Sequence, residues 1–153
     1  MALQKSPDPT LDQKSTTVGI PKPMPNSVYG SWTPVLTFGG GSTGMSYTSW
    51  GSSYATGPLT FCAFNITMTA KGTSTGTAYI SGYPTLYNPL STAFPAWENI
   101  SLSSGYTTIA MSVGSTIELC QSGGPSSASF ATLTDSNFTN TSKLWGSFYF
   151  FTS

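Results

Sequence analysis

The stretch Leu59–Ala70, LTFCAFNITMTA, constrains this chain more than any other. Cys62, Phe64, Ile66 and Met68 share one parity, and Ala63, Asn65, Thr67 and Thr69 share the other. Side chains alternate between faces along an extended strand, so a period of two defines a half-buried β-strand, whereas a helix repeats every 3.6 residues. A strand with one apolar face needs a second layer to cover it. The remaining sequence supplies more strands. WTPVLTF (Trp32–Phe38) alternates, with Trp32, Leu36 and Phe38 on one parity and Val35 on the other. MSYTSW (Met45–Trp50), TAYISG (Thr77–Gly82), WENISL (Trp97–Leu102), YTTIAMSV (Tyr106–Val113), STIELC (Ser115–Cys120) and SFATL (Ser129–Leu133) read as short strands between Ser/Gly breaks. GGGSTG (Gly39–Gly44) reads as a hairpin turn, since it precedes a strand and lacks the Lys of a phosphate loop. KGTSTG (Lys71–Gly76) turns the chain again, and Tyr83–Pro95 reads as an ordered surface loop. Roughly nine short strands at regular spacing predict an all-β fold, an antiparallel β-sandwich of jelly-roll-like type.

A length of 153 residues fits one domain plus a tail. Charged residues make up 7% of the chain, with neither Arg nor His, and five lysines balance five acids. Solubility therefore rests on Ser, Thr, Asn and Gly, which suit strands and turns better than long helices. An aromatic content of 14% separates the chain from disordered Ser/Gly-rich sequences, which are poor in aromatics. Phosphate neutralisation needs Lys or Arg, and beyond Lys22 only Lys71 and Lys143 remain, so no nucleic-acid partner is expected. No apolar run reaches the roughly 20 residues of a membrane span, so no membrane insertion is expected. The opening MALQKSPDPTLDQK has no apolar signal core, which predicts a chain made and kept, or assembled, in a cytoplasm.

Five of the ten charges (Lys5, Asp8, Asp12, Lys14, Lys22) and five prolines (Pro7, Pro9, Pro21, Pro23, Pro25) crowd the start of the chain. Proline fixes φ and removes a backbone donor, which predicts an extended N-terminal arm over 1–28 and a sandwich domain over 29–153. Leu3, Leu11, Val18, Ile20 and Met24 space apolar anchors along the arm. A docking arm that orders on a partner and a loose terminus both fit this pattern.

The residues predict no enzyme. Without His there is no Ser–His or Cys–His pair, and no zinc site of ordinary type. Glu98, Glu118 and Asp135 are the carboxylates of the body, and nothing in their spacing pairs two of them for glycoside hydrolysis. No cofactor and no metal are expected. Cys62 lies on the apolar parity of its strand, while Cys120 shares a parity with Thr116 and Glu118, which predicts two free thiols. Four Asn-x-Ser/Thr triplets begin at Asn65, Asn99, Asn137 and Asn140, and are expected to be unglycosylated without a secretory signal. Trp50, Tyr54, Tyr83, Tyr87 and Trp97 fall near loops and are the candidate receptor or glycan contacts. The same rings would equally cap the ends of a sandwich core. KLWGSFYFF (Lys143–Phe151) is apolar on both parities, so it is central in the sandwich or part of a subunit interface. Trp145, Phe148, Tyr149, Phe150 and Phe151 are the candidate interface residues.

Gly30–Tyr54 (GSWTPVLTFGGGSTGMSYTSWGSSY), Lys71–Pro84 (KGTSTGTAYISGYP) and the closing Thr134–Ser153, in that order, resemble a module of tailed-bacteriophage tail-fibre and other virion proteins. The resemblance covers 29–153. One departure is Tyr54-Ala-Thr-Gly-Pro-Leu59, where similar modules carry a Y-x-x-I-G-N-type segment. The resemblance implies a β-sandwich on the outside of a phage particle, commonly a homotrimer and often at the fibre tip that meets the host. On that reading the arm, which lies outside the resemblance, attaches to other virion proteins and the loops contact a host surface glycan. A capsid decoration or head-fibre protein without a receptor role is the alternative.

Overall fold

The computed structural model describes residues 27–84, 91–123 and 130–151. The arm expected over 1–28, with Leu3, Leu11, Val18, Ile20 and Met24, lies outside them except for Ser27 and Val28, which open the first strand. Two antiparallel sheets face one another. The first runs in the order β1 (Ser27–Trp32), β3 (Ser46–Thr56), β4 (Leu59–Ala70), β11 (Phe138–Phe151), β7 (Ala96–Ile100). The second runs β2 (Val35–Phe38), β5 (Ala78–Ser81), β9 (Ile117–Ser122), β8 (Thr108–Val113), β6 (Ser91–Ala93), with β10 (Ala131–Thr132) pairing β9 alongside β5. The chain is the all-β sandwich that its alternation predicts.

Strand β4 shows why. Cys62, Phe64, Ile66 and Met68 are all buried at 3% exposure or less, and pack with Leu36, Phe38, Ile80, Ile109, Met111, Ile117 and Leu119 of the facing sheet. Each such side chain contributes about 1.5–3 kcal/mol on burial. The departure at Tyr54–Leu59 resolves into a two-residue β3–β4 hairpin in which Thr56 pairs with Leu59. Gly57 takes φ 55° at the first turn position, and Pro58 follows, as a II′ turn requires.

Two expectations are corrected. The segment Trp32–Phe38 is not one strand: Trp32 ends β1 in the first sheet, and after Thr33–Pro34 the chain enters β2 in the second. Pro34 lacks the N–H that a continuous ladder would use. GGGSTG does not close a hairpin between sequential strands. Gly39 and Gly40, at φ 57° and 83°, make a tight reversal in which Phe38 and Gly41 exchange backbone hydrogen bonds. The chain then crosses to β3 in the other sheet. Lys71–Gly76 crosses back the same way, and the two crossings are joined, with Thr73 N–H donating to Thr43 O and Thr43 N–H to Ser74 Oγ.

Beside these crossings a single 3-10 turn, Asp135–Asn137, supplies a polar brace. Asp135 accepts from the Gly76 N–H at 2.9 Å and pairs with Lys71 at 3.2 Å. The Gly76 hydrogen bond, with Lys71 beside it, holds the Asp135 carboxyl below its usual range. All four Asn-x-Ser/Thr asparagines have hydrogen-bond partners, Asn65 only the hydroxyl of Thr67 two residues on along its own strand, at 3.4 Å. Asn137 is buried and donates to Ser101 O, Asn140 accepts from Lys71 N–H, and Asn99, at φ 56°, donates to Thr141 O where β11 bulges against β7.

A carboxyl whose native pKa is depressed stabilises the fold above its unfolded pKa, near pH 4, and loses that contribution as pH falls through the native value. Asp135→Asn should lower stability by about 1–2 kcal/mol at pH 7, with the difference from wild type shrinking below about pH 4. Denaturant melts at several pH values check this. A second substitution tests packing. A Cβ on Gly51 would stand 2.6 Å from the Trp32 ring, so Gly51→Ala should cost about 1–3 kcal/mol in the same assay.

Candidate functional site

The parity that sends the even residues of β4 inward sends its odd residues to the outer face of the first sheet. Antiparallel register carries that face across neighbouring strands in rows. Tyr29 of β1 pairs with Tyr54 of β3, Tyr54 with Phe61 of β4, and Phe61 with Tyr149 of β11. Four aromatics thus form one row across four strands. Ring centroids lie 4.7 Å apart for Tyr29–Tyr54 and 6.1 Å for Phe61–Tyr149, and Phe151 extends the row edge-on from Tyr149 at 6.4 Å. The next row outward is small: Ser31, Ser52, Ala63 and Ser147. Beyond it, Trp50 and Trp145 flank Asn65, with Phe94 close by. Rows repeat every two residues, so the two aromatic ridges stand roughly 13–14 Å apart along the strands. The trough between them has Ser52, Ala63 and Ser147 on its floor. Past the Trp row the face turns polar, with Thr48, Thr67 and the Lys143–Glu98 pair in register.

Large aromatic surface is open here: Tyr29 is 80% exposed, Trp50 59%, Phe61 46%, Trp145 39%, Tyr149 49% and Phe151 59%. The face unites residues that the sequence assigned to different tasks. Trp50 and Tyr54 were expected at a receptor site, Trp145, Tyr149 and Phe151 at an interface, and they occupy one surface. Phe148 and Phe150 do not join them. They alternate inward on β11 and are buried in the subunit's own core, which removes them from the expected interface. Tyr83 is also redirected. It packs edge-on against Trp32 and Phe148, and its hydroxyl donates to Gly114 O at 2.8 Å. Burial, with Cys62 nearby, pushes its phenol up to about 12. Trp97 pairs with the inward Leu144 and packs on the core. Both rings cap the sandwich rather than line an external site. Tyr87 lies outside the described residues. Tyr29 and Phe61 were missed, although Phe61 carried a signal: a large apolar residue on the polar parity of β4.

The outer face of the second sheet holds a smaller feature. Ala110, Ser112, Glu118, Cys120, Phe130 and Thr132 line a pocket of about 240 Å³. Cys120 pairs with Ala110 on one side and Thr132 on the other, which places it outside the inter-sheet core that holds Cys62. Both thiols are free and buried. Burial raises each to about 11, with Glu118 adding to the rise at Cys120.

The structure therefore defines a two-sheet antiparallel sandwich with one aromatic outer face. No family model and no curated protein matches the chain. Among solved structures it is similar to the Dettilon tailspike protein, at a TM-score of 0.64 and 23% identity over 82% of this chain. The chain spans 23% of the length of that tailspike, and the likeness is one of fold.

Alkylation under denaturing, non-reducing conditions should label two thiols, as read by intact mass. In the native protein at pH 8, a thiol pKa raised from 9.0 to about 11 should slow labelling about a hundredfold through thiolate population alone.

Proposed function

We propose that this chain is a structural module of a bacteriophage tail appendage, a virion component that assembles with copies of itself and takes part in recognising the host surface. The observation that carries the reading is the aromatic outer face of the first sheet. Six rings, each with about 150–250 Å² to bury, are exposed there by 39–80%. That approaches the roughly 800 Å² per partner of a standard protein interface. It also exceeds the apolar patches that monomers usually leave open. A chain with 7% charge has little electrostatic repulsion to keep such a face from sticking elsewhere, and closed symmetric packing covers it on every copy. The tailspike fold likeness supports the appendage assignment. The trimeric number comes from the resemblance in the sequence, and the attachment role of residues 1–28 from the prolines and spaced apolar anchors of that stretch.

The proposed role is binding, not catalysis. Two of the three carboxylates among the described residues are tied to lysines, Asp135 to Lys71 and Glu98 to Lys143. Those ties support a structural use of both carboxylates.

Light scattering on the full chain should give a trimer at micromolar concentration. Tyr149→Lys, in the aromatic row between Phe61 and Phe151, should weaken assembly by thirtyfold or more, since an interface anchor is worth about 2 kcal/mol. Its thermal unfolding should stay close to that of a wild-type subunit, because the ring is not in the core. A wild-type monomer would remove the assembly reading. Particles lacking the chain should adsorb poorly to host cells, and normal adsorption would favour the capsid-decoration role instead.

A further inference from the structure

The pocket on the second sheet carries the one charge of the described body that has no partner. Five charged residues lie in that body: Lys71, Lys143, Glu98, Glu118 and Asp135. Four are consumed in the two ion pairs. Glu118 forms no ion pair among the described residues, and the register places it on the outer face between Tyr79 of β5 and Ser112 of β8. The neighbouring row of Ala110, Cys120 and Thr132 is made of small side chains, which leaves a hollow beside the carboxylate. Phe130, 55% exposed, walls it.

We infer that this pocket binds a single neutral sugar ring, with Glu118, Ser112 and Thr132 meeting its hydroxyls and Phe130 covering its C–H face. The inference rests on the proposed recognition role and names its subsite. The lining sets the ligand class. Glu118 accepts hydrogen bonds, the Ser112 and Thr132 hydroxyls both donate and accept, and Phe130 with Ala110 offers apolar contact. A simple cation would satisfy the carboxylate alone and leave the hydroxyls and the ring unused. A sugar ring presents O–H groups and C–H surface together. Acidic sugars and phosphates are disfavoured, because no lysine lines the pocket to offset Glu118. The Cys120 thiol is neutral at physiological pH, so it adds a soft polarizable floor and no second negative charge. The volume, about 240 Å³, falls below the roughly 300–1,000 Å³ of sites for drug-sized ligands and suits one ring. The pocket and the aromatic assembly face lie on outer faces of opposite sheets, so self-association leaves this site open.

Saturation-transfer NMR on the full chain, titrated with the methyl glycosides of glucose, galactose, N-acetylglucosamine and glucuronic acid, tests the inference. At least one neutral glycoside should bind saturably with a Kd on the order of millimolar, as one small ring supports. The glucuronide should not. Glu118→Gln and Phe130→Ala should each weaken binding about tenfold, and Trp50→Ala should leave it unchanged. Tyr149→Lys should still bind the sugar, so a failure of assembly and a failure of this pocket are told apart. Absence of saturable binding by every neutral glycoside, binding that survives both pocket substitutions, or binding lost with Trp50→Ala would overturn the assignment.

Discussion

The contact on which the first sheet depends is the indole of Trp32 lying across Gly51. Trp32 sits at the end of the edge strand β1, opposite Gly51 of β3, and any side chain at Gly51 would collide with the ring. The indole N–H donates to Ser52 O at 3.0 Å, so the ring is fixed as well as packed. The same inward row continues with Phe64 and then Gly146, an alternation of large and small residues across four strands. Gly146 in turn leaves room for Pro95, which a Cβ there would approach to 3.1 Å. Trp32, Phe148 and Tyr83 then meet edge to face, with centroids about 6 Å apart, and close this end of the sandwich. Because Trp32 immediately precedes Thr33–Pro34, the ring that anchors one sheet also fixes where the chain leaves for the other.

Strands β4 and β11 divide the labour of the sheet by parity. On β11, Phe148 and Phe150 complete the core while Tyr149 and Phe151 stay outside. A slip of one residue in register would exchange those sets and put the core residues in water. The tight Gly57–Pro58 turn ties β4 to β3, and the long pairing of Lys143–Phe151 with Thr67–Leu59 ties it to β11. Core and outer aromatic row are thus two readings of one register, and neither can shift without the other.

The elements were legible where a single strand carried its own pattern. Leu59–Ala70 was read to the residue because its alternation needs no partner to interpret it. The closing segment was also informative, since apolar residues on both parities demand cover on both faces, and one half of them found the core. What the residues could not show was which sheet each strand joins. Gly39–Gly40 has the chemistry of a hairpin turn, but turn chemistry is local and the sheet crossing is decided by long-range packing. Tyr83 and Trp97 turned inward for the same reason: an aromatic beside a loop looks alike whether it caps a core or faces a ligand. Tyr29 joined the outer row only through its register with Tyr54, a relation invisible along the chain. The pocket around Glu118 needed β8, β9 and β10, with Phe130 just before β10, to come together, and no run of residues announces it.

The brace of Asp135 and Lys71 and the surface pair of Glu98 and Lys143 between them cancel four of the five charges of the described body. What remains in the described body is a single charge, Glu118, and a weak long-range field. Dissolved ions act by screening such fields over a Debye length of about 10 Å at 0.1 M, and here they find little to screen. Cohesion comes instead from apolar burial and short hydrogen bonds, neither of which weakens as ordinary salt is added. Among the described residues, therefore, little of what holds the fold together is open to screening by ordinary salt.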